Sequence, residues 1–281
     1  MIRKIKEKIM HYAWDLAYGV YDEKILINGI KNVKLNYIKN PYKNKWFADP
    51  FILEEDNEFL QLLVEEFDYD VKRGRIARIR IDKRSNLIIE CSIVLDLPTH
   101  LSFPVIYHIG DKVYVNPENS ESGSSYTYRY DQNIDKLIER QLLVKEPVTD
   151  AIITEEKEGY AMYATKVPDP NGNRLYKYIS QDFFGPYKNV SNDVYPNNTA
   201  RMAGMFIKTN DSLIRPAQDC HGEYGKAVIM YKGHNQLCRL EPLSYKYSGI
   251  HTCNTNGSTF IIDLKKNDYP LLYKLIKMVK K

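Results

Sequence analysis

The 281-residue chain has four cysteines and no CxxC pair among them. Cys91, Cys220, Cys238 and Cys253 are scattered, which argues against a zinc site and for buried free thiols. No His/Asp/Glu spacing demands a metal. Gly222 and Gly225 flank Glu223-Tyr224 with no helix to follow, so they read as a tight turn and not as a phosphate loop. Neither a metal nor a cofactor is expected. No apolar run approaches the length of a membrane span. The first residues, Met1-Ile2-Arg3-Lys4-Ile5-Lys6, are basic but lack the apolar stretch of a signal peptide. The expected location is therefore cytoplasmic, unless a leader has been removed. A net charge of +4 is too small to argue for nucleic acid.

What the chain does have is a repeat. Five times, at steps of roughly 50 residues, an apolar strand, a turn and a second apolar strand follow one another. The first strands of these pairs are Ala48–Leu53, Ser102–Tyr107, Thr149–Ile153, Met202–Ile207 and Ile250–Cys253. Such hairpin grammar is the mark of propeller blades. The fold class is all-β, a five-bladed β-propeller with short helical N- and C-terminal extensions. The 23 tyrosines suit half-buried strands.

Residues 1–45 read as an N-terminal arm and lead-in segment. Ile2, Ile5, Ile9 and Trp14 fall near one face of a helix that runs to about residue 20. Residues 46–266 form the propeller, whose fifth blade is the weakest and whose closure would draw strands from both chain ends. Residues 267–281 read as a basic helix in which lysines and apolar residues separate by face, as in interfacial helices. Packing on the propeller and peripheral contact with the inner face of an anionic membrane both fit these basic termini.

In a propeller the first strand of each blade lines the axis, so distant polar residues at matching places meet. Asp49 opens the first blade and Asp150 holds the matching place in the third. Glu65 and Glu66 end the second strand of blade one, and Glu118 follows that of blade two. Arg215, Gln218 and Asp219 follow that of blade four, with Glu223 and Tyr224 just after. His100 stands at the mouth of blade two. Carboxylates among apolar neighbours are costly to bury unless paired or used. A pair of them can divide acid and base work, as sugar chemistry commonly requires.

Trp46-Phe47-Ala48-Asp49-Pro50-Phe51 with the downstream Glu65-Glu66 resembles the opening of five-bladed propellers of the glycoside hydrolase family 43 type. Ser102-Phe103-Pro104, Pro117-Glu118, Thr149-Asp150-Ala151 and Arg215-Pro216-Ala217-Gln218-Asp219 resemble more closely the N-terminal propeller of glucosamine inositolphosphorylceramide transferases and bacterial polysaccharide-synthesis proteins. The hydrolase likeness implies Asp49 as base, Asp150 as the residue that tunes and orients, and Glu223 as the acid, although the motif around Glu223 departs from the hydrolase pattern. The second likeness implies a glycosyltransferase of polysaccharide or glycolipid assembly. Its partners would be a phosphorylated sugar donor and a glycan or glycolipid acceptor. In that reading Asp49 takes the acceptor proton, Asp150 positions a substrate and Arg215 binds donor phosphate. Glycoside hydrolysis and non-catalytic glycan binding are the alternatives.

Overall fold

The structure, a computed structural model, describes residues 11–268. Five four-stranded antiparallel sheets make the five blades. Blade 5 takes the first two strands of the chain, β1 (His11–Val20) and β2 (Asn36–Tyr37), with the one-turn helix α1 (Ile25–Asn28) between them. Blade 1 is β3 (Lys45–Glu55), β4 (Phe59–Asp68), β5 (Arg73–Asp82) and β6 (Leu87–Leu95). Blade 2 is β7 (Ser102–Ile109), β8 (Lys112–Glu118), β9 (Ser125–Asp131) and β10 (Lys136–Val144). Blade 3 is β11 (Val148–Glu156), β12 (Gly159–Lys166), β13 (Arg174–Ser180) and β14 (Lys188–Val194). Blade 4 is β15 (Ile207–Lys208), β16 (Leu213–Asp219), β17 (Ala227–Lys232) and β18 (Asn235–Leu240). β19 (Cys253–Thr255) and β20 (Thr259–Asp268) complete blade 5 in the order β19-β20-β1-β2. Burial falls from the first strand to the last: the first six residues of β11 are buried, whereas every residue of β14 is exposed. The first strands therefore line the axis.

Strands inside the ring are apolar on both faces because each sheet is sandwiched between two others. Leu16 and Tyr18 of β1 pack with Ile261 against Phe47, Leu60 and Leu62 of blade 1. The intervening Ala17 packs with Ile262 and Leu264 against Val228 and Met230 of blade 4. One residue of slip would exchange these partners.

Two expectations are corrected. Residues 11–20 are not a helical arm but a ten-residue strand, paired along its whole length with β20 from His11↔Asp268 to Val20↔Thr259. The propeller thus begins before residue 46, and the ring closes by joining both ends of the chain. The expected C-terminal helix and the first ten residues lie outside the described residues. In blade 4 the expected inner strand Met202–Ile207 shrinks to Ile207–Lys208, with a single bridge from Met202 to Ala217. The segment keeps bonds to β16, from Ala203 N to Pro216 O at 3.0 Å and from Gln218 N to Arg201 O at 2.9 Å, and it also bonds blade 5. Cys253 N donates to Ala203 O at 2.7 Å and Met205 N to Asn254 Oδ1 at 2.9 Å. A Cβ on Gly204 would lie 2.2 Å from the Cys253 carbonyl oxygen, so only glycine permits the approach.

Ala17 tests the closure. It is fully buried between blades, so Ala17→Asp is expected to cost at least about 3 kcal/mol by leaving an unpaired charge in the seam. Ile89→Asp, on the exposed face of β6, is expected to stay within about 0.5 kcal/mol. Urea unfolding of both proteins checks this, and equal losses would remove the seam from the account.

Candidate functional site on the propeller axis

Three inner strands carry the same backbone device. β3, β7 and β11 each break register with their neighbour, at Ala48/Phe51, Ser102/Val105 and Thr149/Ile152. Within each break sits one residue with positive φ: Asp49 at 49°, Phe103 at 45° and Asp150 at 49°. Side chains rarely adopt this left-handed region, and Asp is among the few that do so readily. The bulge turns the side chain of the residue it holds toward the hub.

Both aspartates are buried and both are enclosed by donors. Asp49 Oδ1 accepts from Thr252 Oγ1 at 2.6 Å and lies 3.0 Å from His251 Nε2; its Oδ2 accepts from Phe103 N at 3.1 Å. His251 Nδ1 stands 2.7 Å from Asp263 Oδ2, outside the alignment of a good hydrogen bond. Asp263 in turn accepts from the backbone N–H groups of Asp49, His251 and Thr252 at 2.9–3.1 Å. Burial alone would push Asp49 up, but His251, Thr252 and the Phe103 N–H together hold it below the usual carboxylate range. Burial would likewise depress His251, yet the two carboxylates outweigh it and raise the imidazole to about 10. The result is a buried anion–cation–anion chain. Among the described residues, Asp49, His251 and Asp263 are also the one group with metal-ligand composition, their ligand atoms within 4.8 Å of one another. The imidazole itself occupies the space between the carboxylates, so the group fits an ion-pair chain better than a coordination shell.

Asp150 makes the second hub. Arg201 donates to both its oxygens, from Nε at 2.6 Å and Nη2 at 3.2 Å, and Gln218 Nε2 donates to Oδ2 at 2.7 Å. Burial, helped by the charges of Asp49 and Glu118, outweighs the pull of Arg201 and leaves Asp150 raised to about 6.

Over this floor lies a cavity of about 350 Å³. Its wall joins side chains from all five blades, Glu65, His100, Glu118, Thr149, Arg201 and Trp14 among them. Trp46 and Phe67 stack as a flat pair, 4.9 Å between centroids and 4° between planes. Trp14 lies on His251 at 3.9 Å, and Tyr224 meets both edge-on. Glu65 is buried, and its Oε1 lies 3.2 Å from His100 Nε2. Gly74 N donates to His100 Nδ1 at 3.0 Å, which fixes the Nε2–H tautomer that faces Glu65. A Cβ on Gly74 would stand 2.7 Å from Glu65 Oε1 and 2.3 Å from Leu101 O, so the glycine is part of the arrangement. Burial raises Glu65 above its ordinary range despite His100. Glu118 accepts from Ser102 Oγ at 3.1 Å and Ser120 N at 3.0 Å.

The expected site residues divide according to strand alternation. On β4, Glu65 and Phe67 face the pocket, while Glu66 points the other way and is held by Lys45 and by two 3.0 Å bonds from Arg75. On β16, Gln218 faces the hub. Arg215 and Asp219, odd-numbered on the same strand, do not. Arg215 lies buried over the ring of Tyr195 at 3.9 Å, and its guanidinium donates to the carbonyls of Ala200 and Thr199. Asp219 pairs with Arg239. Phosphate binding by Arg215 is thereby corrected. Glu223 is also outside the cavity wall. Its side chain is 47% exposed, Lys265 Nζ bonds it at 2.7 Å, and that bond, outweighing burial, holds it below the usual range, the opposite of what an acid needs. His100, Glu118 and Tyr224 line the wall, and Asp49 and Asp150 lie in the floor and not on the wall. Arg201 and Trp14 were missed. Arg201 sits in the irregular first segment of blade 4, and Trp14 on a strand read as helix.

Residues 34–246 match the family model described as glucosamine inositolphosphorylceramide transferase 1, N-terminal. The chain is 25% identical over 198 residues to glucosamine inositolphosphorylceramide transferase 1 of Oryza sativa subsp. japonica, a match covering 68% of this chain and 26% of that protein. It is 25% identical over 196 residues to the Arabidopsis thaliana protein of the same name, covering 67% and 26%. The chain therefore spans about a quarter of the length of these relatives. Among solved structures, a GH43 beta-1,3-galactosidase superposes with a TM-score of 0.56 at 10% identity, covering 76% of this chain and 52% of that one. A thermostable family-43 glycoside hydrolase gives 0.52 at 11%, covering 73% and 80%. At these identities the likeness is one of fold.

The His251 chain gives a pH window with a definite sign. A histidine raised from 6.5 to about 10 contributes stability that is fully present below 6.5 and is lost as pH rises through 10. Thermal midpoints are expected to fall across that interval, with the His251 ring still protonated at pH 8 by NMR. A ring found neutral at pH 7 would contradict the ion chain.

Proposed function

The chain belongs to the glucosamine inositolphosphorylceramide transferase 1 N-terminal family, and from that membership we propose that its axial pocket binds a sugar unit of a glycan or glycolipid acceptor during glycosyl transfer. The observation that carries the reading is one wall: the flat Trp46–Phe67 pair beside the carboxylates of Glu65 and Glu118. An apolar plane next to convergent acceptors suits a sugar, whose ring faces are C–H and whose rim is hydroxyl. The cavity falls within the range of small-molecule sites.

Donor phosphate has less support in this pocket. The Arg201 guanidinium is committed to Asp150 and to Asn171 Oδ1 at 2.7 Å, and the carboxyl groups of Glu65 and Glu118 share the wall with it. In the proposed step the acceptor hydroxyl loses its proton to Glu65 as its oxygen bonds the anomeric carbon of an activated sugar. The bond from that carbon to the leaving group breaks, and the leaving group departs with the electron pair. A carboxylate raised by burial is a better base than an exposed one. His100 orients Glu65, and Asp49 with His251 acts from the floor as fixed charge. This moves the base assigned to Asp49 in the sequence onto Glu65.

The assay has two arms. Binding of oligosaccharides is read by tryptophan fluorescence, since both tryptophans line the pocket, and transfer is read with nucleotide sugars and a lipid-linked acceptor. Trp46→Ala is expected to weaken sugar binding roughly tenfold. Glu65→Gln is expected to keep binding and lose transfer roughly 100-fold or more. Wild-type transfer should fall on acidification with a midpoint above the ordinary 4.5 of a glutamate. Transfer that survives Glu65→Gln would reject the base. Sugar binding with no turnover under any donor would leave a glycan-binding module in its place.

A further inference from the structure

The loop of residues 220–226 joins β16 to β17 of blade 4 and rests against blade 5. A Cβ on Gly225 would lie 2.7 Å from Trp14 Cη2, so only glycine lets the loop meet β1 this closely. The loop carries Glu223, which is outside the cavity wall, and Tyr224, which is on it. Lys265 of β20 stands against this loop and is 1% exposed. Its Nζ donates to Tyr224 O at 2.5 Å and to Glu223 Oε1 at 2.7 Å, and lies 4.0 Å from the ring centroid of Tyr12. A buried ammonium is costly unless it is paired. Among the described residues, both groups it donates to belong to this one loop. Lys265 itself does not line the cavity.

The Tyr224 ring is held on three sides. Trp14 meets it edge-on at 6.5 Å, His251 edge-on at 5.4 Å, and the Arg201 guanidinium lies 5.1 Å from its centroid. The hydroxyl is not held. Among the described residues no group hydrogen-bonds it, although the ring opens onto the cavity. Desolvation, helped by the charges of Asp49, Asp150 and Glu65, outweighs Arg201 and raises the phenol above its ordinary range, so it keeps its proton. Blade 5 packs between blade 4 and blade 1. Tyr224 and the Trp46–Phe67 pair therefore reach a ligand from different sides.

We propose that Tyr224 determines which sugar the pocket accepts, by donating its hydroxyl to one oxygen of the bound ring, and that Lys265 and Glu223 position it. The proposal deepens the carbohydrate reading and rests on it. Two sides of the pocket divide the work. The Trp46–Phe67 plane takes any sugar with an apolar face. A single directed donor separates sugars that differ at one hydroxyl, because a ring lacking that hydroxyl leaves the phenol unpaired in a desolvated site. Lys265 acts through the main chain, where its bond to the Tyr224 carbonyl fixes the residue from which the ring projects. Glu223 holds the ammonium to that task, and is a positioning residue and not an acid.

The test is calorimetric titration of the full chain with methyl glycosides of glucose, galactose and mannose and with their monodeoxy counterparts. The wild type is expected to bind at least one glycoside and to reject one of its monodeoxy forms roughly tenfold. Tyr224→Phe should bring that pair to equal affinity, with the deoxy form bound as it is by the wild type. Lys265→Met and Glu223→Ala should shrink the same ratio several-fold. Trp46→Ala, by contrast, should weaken both ligands alike. A purely structural role for Lys265 and Glu223 would also weaken both alike and keep the ratio, and that result overturns the positioning. Glu223→Ala, at a half-exposed side chain, decides the matter if Lys265→Met does not fold. A ratio unchanged in Tyr224→Phe overturns the proposal and leaves the carbohydrate reading standing. Failure of the wild type to bind any glycoside overturns both.

Discussion

The ring depends on buried carboxylates that tie neighbouring blades to one another. Asp49 of blade 1 takes an N–H from blade 2 at Phe103 and a hydroxyl from blade 5 at Thr252, and its own N–H is held by Asp263 of blade 5. Asp150 of blade 3 is bonded by Arg201 and Gln218 of blade 4. A buried pair of charges contributes little net stability over a well-packed apolar substitute. What it confers is register, because removing any one partner leaves a charge stranded in low dielectric. Left-handed backbone at Asp49, Phe103 and Asp150 belongs to the same constraint. The strain there is held by the bonds it makes possible.

Those bonds also shape the chemistry above them. Because Asp49 and Asp150 are saturated, they act on the pocket as fields and not as contacts. The burdened group is Glu65, which is desolvated, close to the Asp49 charge and supported by a single imidazole whose tautomer a backbone N–H sets. Asp49 and Glu65 thus show two carboxylate behaviours, one held ionised and one eased toward protonation, within one small volume.

Much of this was legible in the residues. Hairpin spacing and strand alternation are local, so the blade count and most strand positions could be read directly. Asp49 and Asp150 were matched because the repeat aligns them, and they prove to share one φ and one kind of register break. The failures share a cause as well. Arg215, Asp219 and Glu66 were assigned by their nearness in sequence to true hub residues, but side-chain direction alternates along a strand, and a neighbour one place away faces another blade. β1 was misread because Ile2, Ile5, Ile9 and Trp14 mimic a helical stripe, while its actual partner, β20, lies at the far end of the chain, where no local signal reaches. Arg201 belongs to an inner segment without regular strand geometry, so no repeat pointed to it.

The seam that joins β1 to β20 also has a consequence for biosynthesis. The ribosome delivers His11–Val20 before every other strand of the ring and Thr259–Asp268 after all of them, so the opening strand waits for four whole blades with only the two-residue β2 to pair with. Four blades can form hairpin by hairpin as they emerge, since their strands follow one another, but the circle cannot shut until β20 has emerged. During that delay a ten-residue apolar strand stands with open edges, which makes it the natural client segment for a chaperone and the point at which two nascent copies could exchange ends.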